Sequence, residues 1–213
     1  MGTDIEMTVP QDYDDRTLDT YNIRTCRAVS TPGTKTTNKD IDTDRLLTEE
    51  EKATLRRATG QLIWLTAVRP DIQYETKEIS RKLTQAQVKD EQRAKHILRY
   101  LQGTRDKALK LEPKTKDNEL TIDIYVDSDW GGQQGTRKST SGSVLQILNT
   151  SVQTSSKTQQ VIALSSGEAE LYAISSGCQQ ALGLRNLLLE LDIKQTVPIR
   201  IYTDSTAGNS IAV

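Results

Sequence analysis

The sequence predicts an α/β fold in which a small helical unit precedes a mixed sheet with acids at its strand ends. Three observations carry the prediction. Residues 122–128, I-D-I-Y-V-D-S, recur at 199–205 as I-R-I-Y-T-D-S, identical at five of seven positions. Both copies alternate apolar and polar residues, the period of a half-buried strand. A helix-patterned segment separates them, so the two strands can lie parallel, joined by a crossover. Upstream, T-E-E-E places Glu51 three residues after Thr48, a capping box that opens a run of helices.

Residues 1–47 are acidic, rich in Thr and Asp, and poor in apolar periodicity. They are expected to be a poorly ordered lead-in, or the frayed remainder of something cut off upstream. Within them T-P-G-T-K-T-T-N-K-D (31–40) reads as loop, and Asn22–Val29 as a short strand or turn.

The region 48–110 reads as helical. Leu55, Ala58, Leu62 and Leu65 follow helical spacing after Thr48, and that helix stops before Arg69-Pro70. Pro70 suits the first turn of a second helix, with Asp71 near its positive end and Ile72, Ile79 and Leu83 on its buried side. A third helix spans about Gln87 to Gln102, with Val88, Ala94, Ile97, Leu98 and Leu101 inward, and Gly103 ends it. His96, the only histidine, reads as a partly buried helix residue, and a scheme needing two histidines is excluded.

Residues 104–120 return to loop, with an entry strand as an option. After the first aspartate strand comes the glycine-rich W-G-G-Q-Q-G-T-R-K-S-T-S-G. Ser143–Leu148 then reads as a second strand, Asn149-Thr150 as a tight turn, and Ser151–Ser155 as a third strand, an antiparallel meander. Ser166 is expected to cap a long helix with Glu168 and Glu170 in its first turn. Leu171, Ile174, Cys178, Ala181, Leu182, Leu188 and Leu191 continue its apolar side. Pro198 leads into the second aspartate strand, and a further helix is expected from Ser205.

Parallel pairing of the two aspartate strands brings Asp127 and Asp204 together at their carboxyl ends, where ligands bind in open α/β folds. Carboxylates that close repel unless a cation lies between them, and a divalent metal is the candidate. Equally, both aspartates could be strand-end turn formers.

Charge is unevenly spread over the 213 residues. Residues 1–51 carry a net of −6, residues 52–120 a net of +7 and residues 121–213 a net of −2. The basic block, with Arg56, Arg57, Lys95 and Arg99 on outer helix faces, suits a phosphate backbone and equally suits solvated helices. No apolar run reaches membrane-spanning length, and Asp4 and Glu6 fall where a signal peptide would be basic and apolar. Cys26 and Cys178 have neither disulfide-framework nor metal-ligand spacing, which suggests a reducing compartment.

The order strand, strand, strand, helix, strand, helix, with Y-V-D-S-D-W, G-E-A-E-L-Y-A and Y-T-D-S at the acids, resembles the ribonuclease H fold. More closely, the chain resembles the C-terminal part of copia-type retrotransposon polyproteins over roughly residues 22–213. The wording that carries this is D-S-D-W-G-G, T-R-K-S-T-S-G-S, S-S-K-T-Q-Q, A-L-S-S-G-E-A-E-L-Y-A-I, R-A-T-G-Q-L-I-W-L-T-A-V-R-P-D-I and A-K-H-I-L-R-Y-L-Q-G-T.

The resemblance implies a thumb or connection region over 48–110 and a ribonuclease H-like domain over 118–213. It implies RNA–DNA hybrid as substrate, an upstream polymerase domain as partner, and a cytoplasmic location, in virus-like particles or extending to the nucleus. Carried over residue by residue, the catalytic, metal-holding acids are Asp127, Glu170 and Asp204, with Glu168 and Asp129 as competitors. They would hold two Mg²⁺ ions, or Mn²⁺, about 3.5–4 Å apart for phosphodiester hydrolysis. The hybrid would be recognised by 2′-hydroxyls and groove shape, for which Ser139, Thr140 and Ser141 are available unless they are ordinary loop residues.

The Y-x-D-D polymerase motif is absent, as are integrase and protease motifs. The family's fourth acid would lie past Val213, so the domain is expected to be C-terminally truncated and its activity weak or lost. The alternatives are a non-catalytic nucleic-acid-binding remnant and a fragment without function.

Overall fold

The computed structural model describes residues 5–33, 45–113, 120–133, 135–193 and 196–205. Among them are five α-helices and a mixed four-stranded sheet. The chain divides into two compact units, Glu6–Leu109 and the residues from Lys110 on together with Ile5.

The first unit is helical. After strand β1 (Ile5–Met7) come α1 (Gln11–Asp19), α2 (Glu49–Leu65), α3 (Gln73–Ser80) and α4 (Val88–Gln102). The poorly ordered lead-in expected before Thr48 is corrected over its described part: α1 is regular and a 3-10 turn follows at Ile23–Thr25. Tertiary contact makes the difference. Leu18 is fully buried, Tyr13 Oη donates to the Gln61 carbonyl at 3.3 Å, and the Tyr13 ring lies 4.3 Å from that of Trp64. The loop reading of 31–40 falls mostly outside the described residues.

Thr48 caps α2 as its sequence requires. Its Oγ1 accepts from Glu51 N at 3.3 Å, and Glu51 Oε2 accepts from Thr48 N at 2.8 Å. Arg45 adds a forked pair to the same carboxylate at 2.7 and 2.6 Å. Together these hold the Glu51 carboxyl down at about 2.

The second helix expected after Pro70 is broken. Pro70–Ile72 is a 3-10 turn, α3 follows, and Leu83–Gln85 is a second 3-10 turn. Buried Arg69 forks onto Asp71 at 3.1 and 2.8 Å and donates to the Thr104 carbonyl at 3.0 Å, and Tyr100 Oη donates to Asp71 at 2.6 Å. Leu18, Leu55, Leu62, Leu65, Ile97 and Leu98 are among the residues that fill the core.

In the second unit, strand β2 (Leu109–Leu111) precedes β3 (Ile122–Asp129), β4 (Thr140–Ile147), β5 (Thr150–Thr158), α5 (Ser166–Glu190) and β6 (Ile199–Tyr202). The sheet order is β5-β4-β3-β6, antiparallel except for the β3–β6 pair. The two similar segments are therefore adjacent parallel strands, with Ile122 opposite Ile199 and Tyr125 opposite Tyr202.

The β4–β5 turn is corrected by one residue. Leu148 and Asn149 hold the positive φ values of 51° and 63°, the pattern of a type I′ hairpin turn, and Thr150 already belongs to β5. One face of the sheet buries Ile122, Ile124, Val126 and Leu145 against Ala173, Ile174, Ala181 and Leu188 of α5. The helix presses closest at Gly177, where an added Cβ would stand 2.5 Å from Val126 Cγ1. Ile201 stays half exposed because α5 lies chiefly over β3 and β4 and β6 is an edge strand. The helix expected from Ser205 lies outside the described residues. No described helix is long and apolar enough to cross a membrane.

Candidate metal centre

Parallel register builds the first half of the site. Tyr125 and Tyr202 are cross-strand partners, so Asp127 and Asp204 each lie two residues further on, at the carboxyl ends of β3 and β6. The third acid comes from α5. Its N-cap is Ser165, one residue before the expected Ser166, and Ser165 Oγ accepts from Glu168 N at 3.1 Å. Glu170 is the fifth residue of that helix and faces the sheet.

Carboxylate oxygens of Asp127, Glu170 and Asp204 all lie within 4.8 Å of one another. Among the described residues this is the one cluster of three or more acidic, cysteine or histidine ligands. Asp127 and Asp204 are exposed, whereas Glu170 is 8% exposed. Burial pushes the Glu170 carboxyl above the ordinary carboxylate range, the hydrogen bond from Ser128 opposes this, and the charges of Asp127 and Asp204 add to the rise.

The two competitors are placed elsewhere. Glu168 Oε2 accepts from Leu164 N at 2.7 Å and Oε1 accepts from Tyr172 Oη at 3.1 Å, so it serves the start of α5. The Asp129 carboxylate lies against the backbone of Gly132, where an added Cβ would overlap it.

Other contacts hold the start of α5 in place. Buried Gln159 Nε2 donates to the Ala169 carbonyl at 2.8 Å and to Ser141 Oγ at 2.9 Å, and Trp130 Nε1 donates to the Ala163 carbonyl at 3.1 Å. Ser139 and Thr140 are buried, and Ser139 Oγ accepts from Gly131 N at 3.1 Å. Both lie inside the fold, away from solvent.

Hard oxygen donors of this number suit a divalent cation such as Mg²⁺ or Mn²⁺. The fit has a direct sign: Glu170 Oε2 is buried with no hydrogen-bond partner. A buried carboxylate oxygen left so is costly unless a cation completes it.

The proposed phosphate contacts lie in the first unit. Arg56 and Arg57 are exposed on α2, Arg56 with a loose 3.9 Å approach to Glu49. On α4, Lys95 pairs with Glu91 at 3.0 Å and sits 4.9 Å over the Tyr21 ring. Arg99 Nε donates to the Arg27 carbonyl at 2.7 Å, so part of its fork is already used. His96 is half-buried, with Nε2 2.9 Å from the Thr31 carbonyl.

Sequence reasoning missed Ser128, whose Oγ donates to Glu170 Oε1 at 2.9 Å. The signal was present: strand parity puts residue 128 on the face of Val126, toward the helix.

No family model matches the chain, and no solved structure matches it significantly. Curated proteins do. It is 31% identical over 187 residues to the retrovirus-related Pol polyprotein from transposon RE1 of Arabidopsis thaliana, covering 88% of this chain and 12% of that one. It is 29% identical over 205 residues to the corresponding polyprotein from transposon TNT 1-94 of Nicotiana tabacum, covering 92% of this chain and 15% of that one. A shorter relative, secreted RxLR effector protein 161 of Plasmopara viticola, is 34% identical over 128 residues, 60% of this chain and 88% of that one. The chain thus spans a small part of the Pol polyproteins that it matches over most of its own length. The relatives that match most of this chain are thus retrovirus-related Pol polyproteins of copia-type transposons.

Proposed function

We propose that the unit from Lys110 on is a ribonuclease H-like domain that hydrolyses the RNA strand of RNA–DNA hybrids, with Mg²⁺ held by Asp127, Glu170 and Asp204. The observation that carries this is the convergence of three carboxylates within 4.8 Å at the ends of two parallel strands. When bound, divalent ions supply charge stabilisation at a phosphodiester and lower the pKa of water. The protein's part is to hold hard oxygens on rigid elements, two on strand ends and one on a helix anchored by Ser165, Gln159 and Trp130. The exposed aspartates leave the site open to a duplex, while buried Glu170 forms its floor.

The first unit supplies backbone contacts through Arg56, Arg57, Lys95 and Arg99, which read charge and not sequence. Because the Pol relatives are polyproteins, the remaining partner is an upstream polymerase domain of the same polyprotein.

The test is cleavage of a labelled RNA–DNA hybrid by the chain, with Mg²⁺ and with Mn²⁺, beside Asp127→Asn and Asp204→Asn. Weak metal-dependent loss of the RNA strand, reduced to background in both variants, is the expected result. Cleavage indifferent to both substitutions, or none in the parent chain with either metal, overturns the reading.

A further inference from the structure

Two of the three carboxylates are gripped by a single residue. Ser128 N donates to Asp127 Oδ1 at 2.8 Å, and Ser128 Oγ donates to Glu170 Oε1 at 2.9 Å. Each bond commits one oxygen of its carboxylate. On Glu170 the other oxygen, Oε2, is buried with no hydrogen-bond partner. A carboxylate on a flexible side chain would otherwise rotate to solvate both oxygens, and a hydroxyl fixed on a strand prevents that.

We infer that Ser128 is the positioning residue of the metal centre: it turns Glu170 into a one-oxygen ligand and ties its orientation to that of Asp127. This rests on the proposed metal site but concerns a residue outside the ligand set. The residue type is suited to the task. A hydroxyl donates to a carboxylate without bringing charge, so it does not compete with the cation for Oε2. Ser128 lies on the Val126 side of β3, where α5 packs, and the Asp127 carboxylate converges with Glu170 at the end of the same strand. One residue therefore links the helix-borne acid to a strand-borne one. Outer partners of metal ligands typically change affinity by about 10- to 100-fold when removed, because the ligand must then be ordered at the moment of binding.

The experiment reads metal affinity without turnover. Mn²⁺ is titrated into the parent chain, Ser128→Ala, Ser128→Thr and Asp127→Asn, with free Mn²⁺ followed by its spin-resonance signal. Thermal unfolding of each metal-free chain is measured alongside. Ser128→Ala is expected to bind at least about tenfold more weakly than the parent while still unfolding cooperatively, with Ser128→Thr restoring affinity because it keeps the hydroxyl. Parent-like affinity in Ser128→Ala, or a loss in Ser128→Thr as large as in Ser128→Ala, overturns the positioning role. If the parent binds no more tightly than Asp127→Asn, the metal centre itself fails, a result distinct from either.

Discussion

The rings of Tyr125 and Tyr202 stack 4.7 Å apart with 13° between their planes, side by side on the adjacent parallel strands β3 and β6. Each stands two residues before an acid of the site. The pair pins the register of an edge strand only four residues long, and so sets where Asp204 lies relative to Asp127. Tyr202→Ala should cost about 1 kcal/mol, the size of a cross-strand aromatic pair. It should also weaken Mn²⁺ binding, because β6 loses its side-chain anchor. Urea unfolding and metal titration check the two effects, and an unchanged affinity would separate register from site geometry.

The approach of α5 to β3 is set by Gly177, seven residues after Glu170 and on the same side of the helix. Its Cβ would stand 2.5 Å from Val126 Cγ1 and 3.3 Å from Ile124 Cδ1. Gly177→Ala gains helix propensity but overpacks the contact, and it should destabilise the second unit by about 1–3 kcal/mol. A variant as stable as the parent would show that the helix can lift without cost.

Glu170→Gln should separate stability from metal binding. Burial, aided by Asp127 and Asp204, raises the folded-state pKa of Glu170 above its unfolded value. A carboxyl so raised binds more protons when folded, so its ionisation costs stability at neutral pH, and that cost fades as pH falls through the folded pKa and below the unfolded one. Without metal, Glu170→Gln should therefore be at least as stable as the parent at pH 7, with the difference shrinking towards pH 4. Its Mn²⁺ affinity should fall. Unfolding curves across that pH range are the check, and a variant less stable at pH 7 than at pH 4, relative to the parent, has the wrong sign.

Arg56 and Arg57 give the cleaner test of nucleic-acid binding, since Arg99 also holds the Arg27 carbonyl. Their joint replacement by Ala should weaken binding of unrelated duplexes to a similar degree. It should also flatten the dependence of log affinity on log salt by about 1–2, as two phosphate contacts require. An unchanged slope would assign the basic character of residues 52–120 to solvation alone.

The sequence by itself determined the elements whose signals are local. The Thr48–Glu51 capping box, the helical spacing of Leu55, Leu62 and Leu65, and the alternation in 122–128 and 199–205 all describe interactions closed within a few residues, and the structure places helix or strand at each. The duplicated strand also carried the convergence of Asp127 and Asp204, because parallel pairing of like segments puts like positions side by side. Tertiary structure decided the rest. Helix α1 forms where composition suggested disorder because Tyr13 finds partners on α2 and Leu18 joins the buried core, dozens of residues away. Glu170, and not Glu168, lies beside Asp127 and Asp204 because of which carboxylate the first turns of α5 carry toward the sheet once Ser165, and not Ser166, caps the helix. The grip of Ser128 on Glu170 joins positions 42 residues apart. Side-chain contacts across such separations leave no period or spacing in the sequence, and exist only when the packed helix and strand bring them within hydrogen-bond reach.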